Sequence, residues 1–218
     1  MPGSIQSAPL VCVIDDDAAM RGSLDSLLRS NGFAALTFDG PQAYLATPDT
    51  DHAACLILDV RLQCADGLEF QQALAESDMH VPVVMITGYG DIPMTVRSMK
   101  AGAVDFLAKP FEEQDLLRAV REAVQRDQYR RSQLQADAGL RARYESLTPR
   151  EREVMALVTA GLMNKQVASR LGVSEITVKI HRGNTMRKMG VRSLADLVHA
   201  AEILGVRDSA VQRTHSAD

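Results

Sequence analysis

The sequence predicts two domains: a doubly wound α/β domain with five parallel strands, followed by an all-α domain built on a helix-turn-helix. One observation is the stretch Cys55–Asp59, where four apolar residues precede a carboxylate, as is typical of a parallel strand buried on both faces. Similar strands alternate with helical apolar spacing as far as about residue 125. The charge then reverses: residues 1–125 hold 8 Lys and Arg against 18 Asp and Glu, and residues 126–218 hold 16 against 10. The basic second half is therefore a candidate for binding nucleic acid.

Five strands and five helices alternate along the first domain, which we assign to residues 1–125. Each helix is predicted from apolar residues three or four apart, and each strand from a short apolar run. In chain order the elements are strand Leu10–Ile14, a helix through 20–28, strand 33–38, a short helix from Pro41, strand Cys55–Asp59, helix Gly67–Glu76, strand 83–86, helix 93–101, strand 104–108 and a helix from Glu112 through Val124.

Polar side chains follow four of these strands at the sheet edge where ligands bind in such folds. Adjacent carboxylates repel one another and need a counter-ion, and hard oxygen ligands suit Mg²⁺. A lysine and a hydroxyl suit phosphoryl oxygens, and a carboxylate can be the nucleophile in phosphoryl transfer. The alternative is that Asp15, Asp16 and Asp17 only cap the first helix and that Lys109 pairs with them. The residues concerned are Asp15, Asp16, Asp17, Asp59, Thr87 and Lys109.

The composition excludes several other classes of protein. No apolar run reaches membrane-spanning length, and residues 1–9 lack the features of a secretory signal, so we expect no membrane association and a cytoplasmic protein. The three cysteines are odd in number and form no CxxC, which argues against a disulfide framework or a zinc site. A redox role for Cys64, in a predicted loop, is a minor alternative.

The second domain, residues 147–207, follows a segment in which apolar periodicity fades. This segment, 126–146, is either a linker or an extension of the preceding helix. Thr148 to Glu151 form a capping box with proline at the first helical position. Asn164 and Ser174 can cap the next two helices. Two short helices, a tight turn and the longer basic helix Glu175–Met189 are typical of a helix-turn-helix. A last helix is expected over 194–204 and a disordered tail over 208–218.

The third helix of this domain has an outward face that is basic and apolar. An exposed Ile180 gains nothing in water, but in a major groove it would touch a thymine methyl while Lys179 reaches a base edge or a phosphate. The alternative is that Ile180 packs on a neighbouring helix. The candidate DNA-contacting residues are Lys179, Ile180, Arg182, Gly183 and Arg187, together with Thr177 and Lys165.

Four stretches in the first domain resemble the CheY-like receiver domain of two-component response regulators: 13–17, 58–61, 86–91 and 100–111. The resemblance covers about residues 9–125. It implies that Asp59 accepts a phosphoryl group from a sensor histidine kinase. It also implies that Asp16, Asp59 and the carbonyl of Arg61 hold Mg²⁺, with Asp15 assisting through water. Thr87 and Lys109 would bind the phosphoryl oxygens. Phe106 would be an aromatic switch.

One stretch departs from this family's pattern. The family usually has Met-Pro where this chain has Leu62-Gln63. Losing the proline frees the loop beside Asp59, which leaves the lifetime of the phosphorylated state open.

Three stretches in the second domain, 147–154, 160–168 and 176–182, closely resemble the LuxR-type DNA-binding domain. With the receiver, the chain is thereby identified as a FixJ-branch member of the FixJ/NarL response regulators. The resemblance implies that Lys179 and Ile180 contact bases and that the last helix helps to pair two domains on DNA. Gly183 departs from the pattern, since a larger residue often reads a base there.

These resemblances imply a phosphorylation-controlled transcription regulator with no enzymatic turnover beyond slow self-dephosphorylation. Phosphorylation would make a homodimer through the face formed by helix 92–99 and the last strand. The dimer would bind double-stranded promoter DNA, with RNA polymerase as a further partner. Two alternatives stay open: a Mg²⁺-dependent phosphohydrolase that uses an aspartyl phosphate, and a receiver that binds DNA without needing phosphate.

Overall fold

The computed structural model describes residues 8–63, 65–77, 79–88 and 92–206. The chain divides into two compact units, and the boundary between them in the sequence lies between Arg131 and Ser132. The first is a five-stranded parallel sheet with helices, and the second is entirely helical, so the predicted fold class is confirmed. Within the described residues, no helix combines the length and the apolar character needed to cross a membrane.

The sheet of the first unit has the strand order β2-β1-β3-β6-β7, with every neighbouring pair parallel. The order places β3 at the centre, and all five of its residues are buried, which explains its unbroken apolar run. A separate two-stranded antiparallel hairpin, β4 with β5, follows β3. The strands are β1 (Leu10–Ile14), β2 (Ala34–Phe38), β3 (Cys55–Asp59), β4 (Arg61–Leu62), β5 (Ala65–Asp66), β6 (Val83–Thr87) and β7 (Asp105–Ala108).

Alternate residues of the strands build two separate cores, one on each face of the sheet. In β3, Cys55 and Ile57 belong to one apolar cluster, and Leu56 and Leu58 belong to the other. Since the side-chain period of a strand is two, one run of apolar residues supplies both layers. The helices of this unit are α1 (Ala18–Ser30), α2 (Pro41–Leu45), a 3₁₀ helix (Pro48–His52), α3 (Gly67–Glu76), α4 (Ile92–Lys100) and the part of α5 (Glu113–Glu145) that precedes Ser132.

The second unit contains α6 (Pro149–Thr159), α7 (Asn164–Leu171), α8 (Glu175–Met189) and α9 (Leu194–Ile203). Thr148 closes the predicted capping box with Glu151, and the hydroxyl of Ser174 accepts from the backbone N–H of Thr177 at the start of α8. Gly172, with φ of 66°, ends α7 and begins the turn into α8. The helix-turn-helix prediction is therefore confirmed.

Several details differ from the sequence predictions. Residues 126–145 are helical and belong to α5, so the segment is an extension of that helix. Asn164 is the first helical residue of α7, and Met163 holds the capping position, so the predicted cap was one residue too late. The last helix ends at Ile203, one residue earlier than expected. The β4–β5 hairpin was not predicted. Cys64 and the predicted tail lie outside the described residues.

Candidate functional site

The polar residues predicted to share one sheet edge are brought together there. Asp15 follows β1, Asp59 ends β3, Thr87 ends β6 and Lys109 follows β7. Because β1, β3, β6 and β7 are consecutive neighbours in a parallel sheet, their carboxyl ends lie side by side. Asp15, Asp59 and Thr87 are buried, which is unusual for such polar side chains and requires compensating partners.

Lys109 offsets the negative charge of two buried carboxylates at once. Its Nζ lies 2.7 Å from Asp15 Oδ2 and 2.6 Å from Asp59 Oδ2, and its side chain is 18% exposed. Burial raises the pKa of Asp15, although the hydrogen bond from Lys109 opposes this effect. Burial alone would lower the pKa of Lys109, but the two carboxylates outweigh it and raise that pKa overall. The lysine is therefore held in its charged form.

The second oxygen of each buried carboxylate is held by the backbone. Asp15 Oδ1 accepts from the N–H of Asp17 at 2.8 Å, and Asp59 Oδ1 accepts from the N–H of Arg61 at 2.9 Å. The side chain of Asp17 instead caps α1 by accepting from the N–H of Ala19 at 2.8 Å. The capping alternative thus holds for Asp17 and not for Asp15, whose carboxylate points to Lys109.

Asp15, Asp16 and Asp59 form a group of carboxylates suited to a hard cation. One oxygen from each lies within 4.8 Å of the others. Three carboxylates against one lysine leave net negative charge, and Mg²⁺ favours oxygen ligands that leave room for water and phosphate oxygens. The donor set therefore fits the predicted ion. Arg61, the predicted carbonyl ligand, lies in β4 just beyond Asp59.

A cleft of about 840 Å³ opens beside Asp16. Gln63, Arg21 and Glu69 line it together with Asp16, so the loop that departs from the family's Met-Pro forms part of this cleft. Arg21 also donates from Nη1 to the backbone oxygen of Asp15 at 2.7 Å. Sequence reasoning missed Arg21, because a lone arginine on a predicted helix carries no signal of a tertiary contact.

Gly67 is a second residue that sequence reasoning used only as a helix start. A Cβ at this position would lie 2.2 Å from the backbone oxygen of Asp59 and 2.9 Å from Cα of Val60. The N–H of Gly67 donates to the backbone oxygen of Val60 at 2.8 Å. Glycine is therefore required for the close approach of α3 to the end of β3. The sequence signal available was a glycine at the first helical position, where it weakens the helix.

Thr87 and Phe106 lie on the adjacent strands β6 and β7. Thr87 is fully buried, and its backbone oxygen accepts from the N–H of Lys109 at 2.6 Å. Phe106 pairs in register with Met85 of β6 and is half-buried against the apolar cluster that contains Leu58. Thr87 thus lies at the end of β6, near the carboxylates, and Phe106 lies on β7, the strand at one edge of the sheet.

The candidate DNA-contacting residues lie on α7 and α8 and differ in exposure. Val178 and Met189 are buried, as predicted, and Ile180 is 59% exposed, so the alternative that it packs on a neighbouring helix is wrong. Lys179, Gly183, Arg187 and Lys165 are exposed, and Thr177 is half-buried.

Arg182 is an exception among these residues. It is half-buried, and its Nη1 lies 3.4 Å from Oδ1 of Asn164. This long hydrogen bond links α8 to the start of α7. Arg182 is therefore less exposed than Lys179 and Arg187, and its contact with DNA stays a prediction.

Comparisons with known proteins agree with both halves of the chain. Residues 11–121 match the response regulator receiver domain, and residues 145–201 match the bacterial regulatory proteins of the luxR family. Nodulation protein W of Bradyrhizobium diazoefficiens is 50% identical, over 94% of this chain and 90% of that protein.

Two solved structures are also similar. A structure of the response regulator StyR is 48% identical with a TM-score of 0.79, covering 89% of this chain and 98% of that one. A full-length structure of FixJ from B. japonicum is 39% identical with a TM-score of 0.53, covering 92% and 98%. With its receiver domain and its luxR-type domain, the chain belongs to the FixJ branch of the two-component response regulators and is a DNA-binding transcription regulator.

Proposed function

We propose that this regulator accepts one phosphoryl group on Asp59 from a sensor histidine kinase, and that phosphorylation promotes dimerisation and promoter binding. The observation that carries the proposal is the contact of Lys109 Nζ with both Asp59 and Asp15, at 2.6 and 2.7 Å. A buried carboxylate held beside a fixed cation, at the carboxyl edge of a parallel sheet, suits an acceptor whose product carries more negative charge.

The chemistry of transfer follows from these atoms. A carboxylate oxygen of Asp59 attacks phosphorus, the bond from phosphorus to the kinase histidine nitrogen breaks, and that nitrogen keeps the electron pair. Lys109 is close enough to exchange its contact with Asp59 Oδ2 for one with a phosphoryl oxygen. Thr87 would donate its hydroxyl to a second phosphoryl oxygen.

Mg²⁺ would be held by Asp16, Asp59 and the carbonyl of Arg61, with Asp15 assisting through water. When bound, it supplies positive charge that offsets repulsion between the carboxylates and the phosphoryl group. The support for this assignment is the grouping of three carboxylate oxygens within 4.8 Å. Its donor set is all oxygen, as Mg²⁺ prefers.

We further propose that phosphorylation is read out through α4 and β7. Movement of Thr87 toward the phosphoryl group would leave space for Phe106, which is half-buried on the adjacent strand β7, to turn inward. The adjoining helix α4 exposes Ile92, Val96 and Met99, apolar side chains that a second receiver would cover. These exposed residues support a homodimer formed through this face.

DNA binding is assigned to α8 and the start of α7. Lys179 and Ile180 would contact bases, Arg187, Lys165 and Thr177 would contact the backbone, and Gly183 would allow close approach. Arg182 would contact phosphate from its position beside Asn164. Two such domains in a dimer would occupy successive major-groove half-sites, with RNA polymerase as a further partner.

Intact mass spectrometry after incubation with Mg²⁺ and acetyl phosphate tests the acceptor. The wild type should gain one phosphoryl group, Asp59→Asn should gain none, and Asp25→Asn, which changes a half-buried aspartate on α1, should behave as the wild type. Labelling that stops at one group per chain would separate a regulator from a phosphohydrolase, which would release phosphate continuously. Labelling of Asp59→Asn equal to that of the wild type would disprove the assignment.

Size-exclusion chromatography of the same samples tests the readout. Phosphorylated wild type should elute as a dimer, whereas phosphorylated Ile92→Lys should stay monomeric because it adds charge to an exposed apolar face. Leu45→Lys is a matched control, since Leu45 is an exposed apolar residue on α2. Dimerisation of Ile92→Lys equal to that of the wild type would exclude this face.

A further inference from the structure

One side of α8 faces away from the core of the second unit. Val178 is fully buried in an apolar cluster with Val154 and Val167, which fixes the inward side of this helix. A helix turns by about 100° per residue, so Ile176 lies roughly 200° from Val178, on the opposite side. The exposed residues at helical spacing on that side form what we call the outer stripe: Ile176, Lys179, Ile180 and Gly183.

Ile176 stands at the start of the outer stripe. Its large apolar side chain is 70% exposed, compared with 59% for Ile180. It is the second residue of α8, and it is not among the DNA contacts proposed above. In a helix-turn-helix, the N-terminal residues of the second helix are the ones that contact base edges. Ile176 therefore occupies a position that would read sequence once α8 enters a major groove.

The first turn of α8 presents Ile176 on a well-held backbone. The hydroxyl oxygen of Ser174 accepts from the N–H of Thr177 at 3.1 Å and lies 2.9 Å from the hydroxyl oxygen of Thr177. Isoleucine is β-branched, so its χ1 angle has one strongly preferred value in a helix. Contact between Ile176 and a base would thus cost little conformational entropy.

The chemistry of isoleucine specifies what the two exposed side chains can recognise. They have no hydrogen-bond donor or acceptor, and the apolar group that a base pair presents in the major groove is the C5-methyl of thymine. Side chains four residues apart on a helix have Cβ atoms about 5–6 Å apart, and successive base pairs are about 3.4 Å apart. Ile176 and Ile180 therefore match methyl groups on base pairs that are one or two steps apart.

Basic residues beside the two isoleucines identify DNA as what covers them. Lys179 lies between them in the outer stripe, and Arg187 is exposed farther along the same helix. These positive charges complement the phosphate backbone and would repel the same side of a second copy of the chain. The match of residues 145–201 to the luxR family points to the same partner.

We propose that Ile176 and Ile180 together read two thymine methyl groups, so that each half-site carries thymines one or two base-pair steps apart. Gly183 presents no side chain at the next position of the outer stripe, and a Cβ there would meet nothing within 4 Å. Base reading is thereby concentrated in the N-terminal half of the stripe. This inference rests on the proposed binding of DNA by α8 and adds Ile176 as a specificity-determining residue.

Selection of duplexes from a randomised pool by the full chain gives the preferred half-site. The selection is run with and without acetyl phosphate and Mg²⁺, so that it does not depend on phosphoryl acceptance at Asp59. Each selected thymine is then replaced by uracil, which lacks only the methyl group, and binding is measured by fluorescence anisotropy. At two positions, one or two steps apart, the replacement should weaken binding about three- to fivefold, the effect of one buried methyl group.

Variants assign the two methyl groups to their side chains. Ile176→Ala should bind thymine and uracil equally at one of the two positions and keep the wild-type loss at the other, and Ile180→Ala should show the reverse. Alanine favours a helix, so both variants keep α8 intact. Leu134→Ala is the matched control, because Leu134 is a 56% exposed apolar residue of the same unit that lies on α5. It should show the wild-type loss at both positions.

Two results would overturn the reading of methyl groups while leaving DNA binding by α8 intact. One is a selected half-site without the pair of thymines, and the other is a wild-type loss at both positions in Ile176→Ala. Failure of the α8 assignment itself gives a different result, in which Lys179→Met and Arg187→Met both bind the selected duplex as the wild type does. Loss of self-association in Ile176→Ala, with an unchanged response to uracil, would assign this side chain to a second copy of the chain and also overturn the proposal.

Discussion

Glu151 and Lys188 connect the start of α6 to the last turn of α8 through an ion pair of 2.7 Å between Oε2 and Nζ. The same Oε2 accepts from the backbone N–H of Thr148 at 2.8 Å. Burial would raise the pKa of Glu151, but the hydrogen bonds from Lys188 and Thr148 outweigh it and hold the pKa below its usual value. The ionised carboxylate of Glu151 thus holds the last turn of α8 against the start of α6.

Glu151→Gln should lower the free energy of unfolding of the second unit by about 1–2 kcal/mol at pH 7. Because the pKa is lowered by folding, the contribution of Glu151 is complete above its ordinary pKa of about 4.3 and is lost as the pH falls through the lower folded value. Hydrogen exchange of the α8 amides at pH 7 would measure the change. Glu153→Gln, in an exposed pair with Arg150, should alter stability by no more than about 0.5 kcal/mol.

Gly67→Ala should destabilise the first unit by about 1–3 kcal/mol, because a Cβ 2.2 Å from the oxygen of Asp59 forces the backbone to shift. Gly22→Ala in α1 is the matched control, since its Cβ would meet nothing within 4 Å. That change should stabilise the unit by about 0.5–1 kcal/mol through helix propensity. Urea denaturation followed by circular dichroism checks both, and equal effects of the two variants would contradict the close approach.

Lys109→Met should lower the stability of the first unit by about 2–4 kcal/mol at pH 7 without Mg²⁺, because two buried carboxylates lose their shared cation. Folding raises the pKa of Lys109, so its contribution is complete below the ordinary lysine value of about 10.4 and is lost as the pH rises through the folded value. Adding Mg²⁺ should recover more stability in Lys109→Met than in the wild type.

Thermal unfolding of Lys109→Met with EDTA and then with MgCl₂ provides this measurement. Lys100→Met removes an exposed lysine in the last turn of α4 and serves as its control. A variant whose response to Mg²⁺ equals that of the wild type would argue against a cation site next to Lys109.

Arg187→Met should weaken DNA binding and reduce the slope of log affinity against log salt by about 0.9, because we assign this exposed arginine to one phosphate. Arg118→Met, which changes an exposed basic residue near the start of α5, should leave the slope unchanged. Fluorescence anisotropy with a labelled promoter duplex over a range of salt concentrations measures both. A weakened affinity with an unchanged slope would contradict the assignment of Arg187 to a phosphate.

Much of the fold could be predicted from sequence because its signals are local. The apolar run Cys55–Asp59 specifies a strand buried on both faces, and the Thr148–Glu151 capping box specifies a helix start, without knowledge of anything distant. The β4–β5 hairpin has strands of only two residues, too short to show alternation. Residues 126–145 lack an apolar stripe, so their helicity could not be distinguished from a linker.

Some residues of the candidate site could likewise be predicted from the sequence, and others could not. The carboxylates and Lys109 could be predicted because each follows a recognisable strand, and strand ends meet at one edge. The role of Gly67 depends on its close approach to the backbone oxygen of Asp59, and the role of Arg21 depends on its 2.7 Å hydrogen bond to the backbone oxygen of Asp15; only the folded chain creates either one.

The backbone hydrogen bonds to Oδ1 of Asp15 and Asp59 should also affect how fast one cation replaces another at the site. Each carboxylate is already oriented by an amide two residues along its own chain, so its torsion angles are fixed whichever cation is present. When Lys109 moves away, the two carboxylates need little reorganisation and lose little side-chain entropy before another cation binds to them. Exchange of cations at this rim should therefore be limited by the motion of one lysine side chain and not by rearrangement of its ligands.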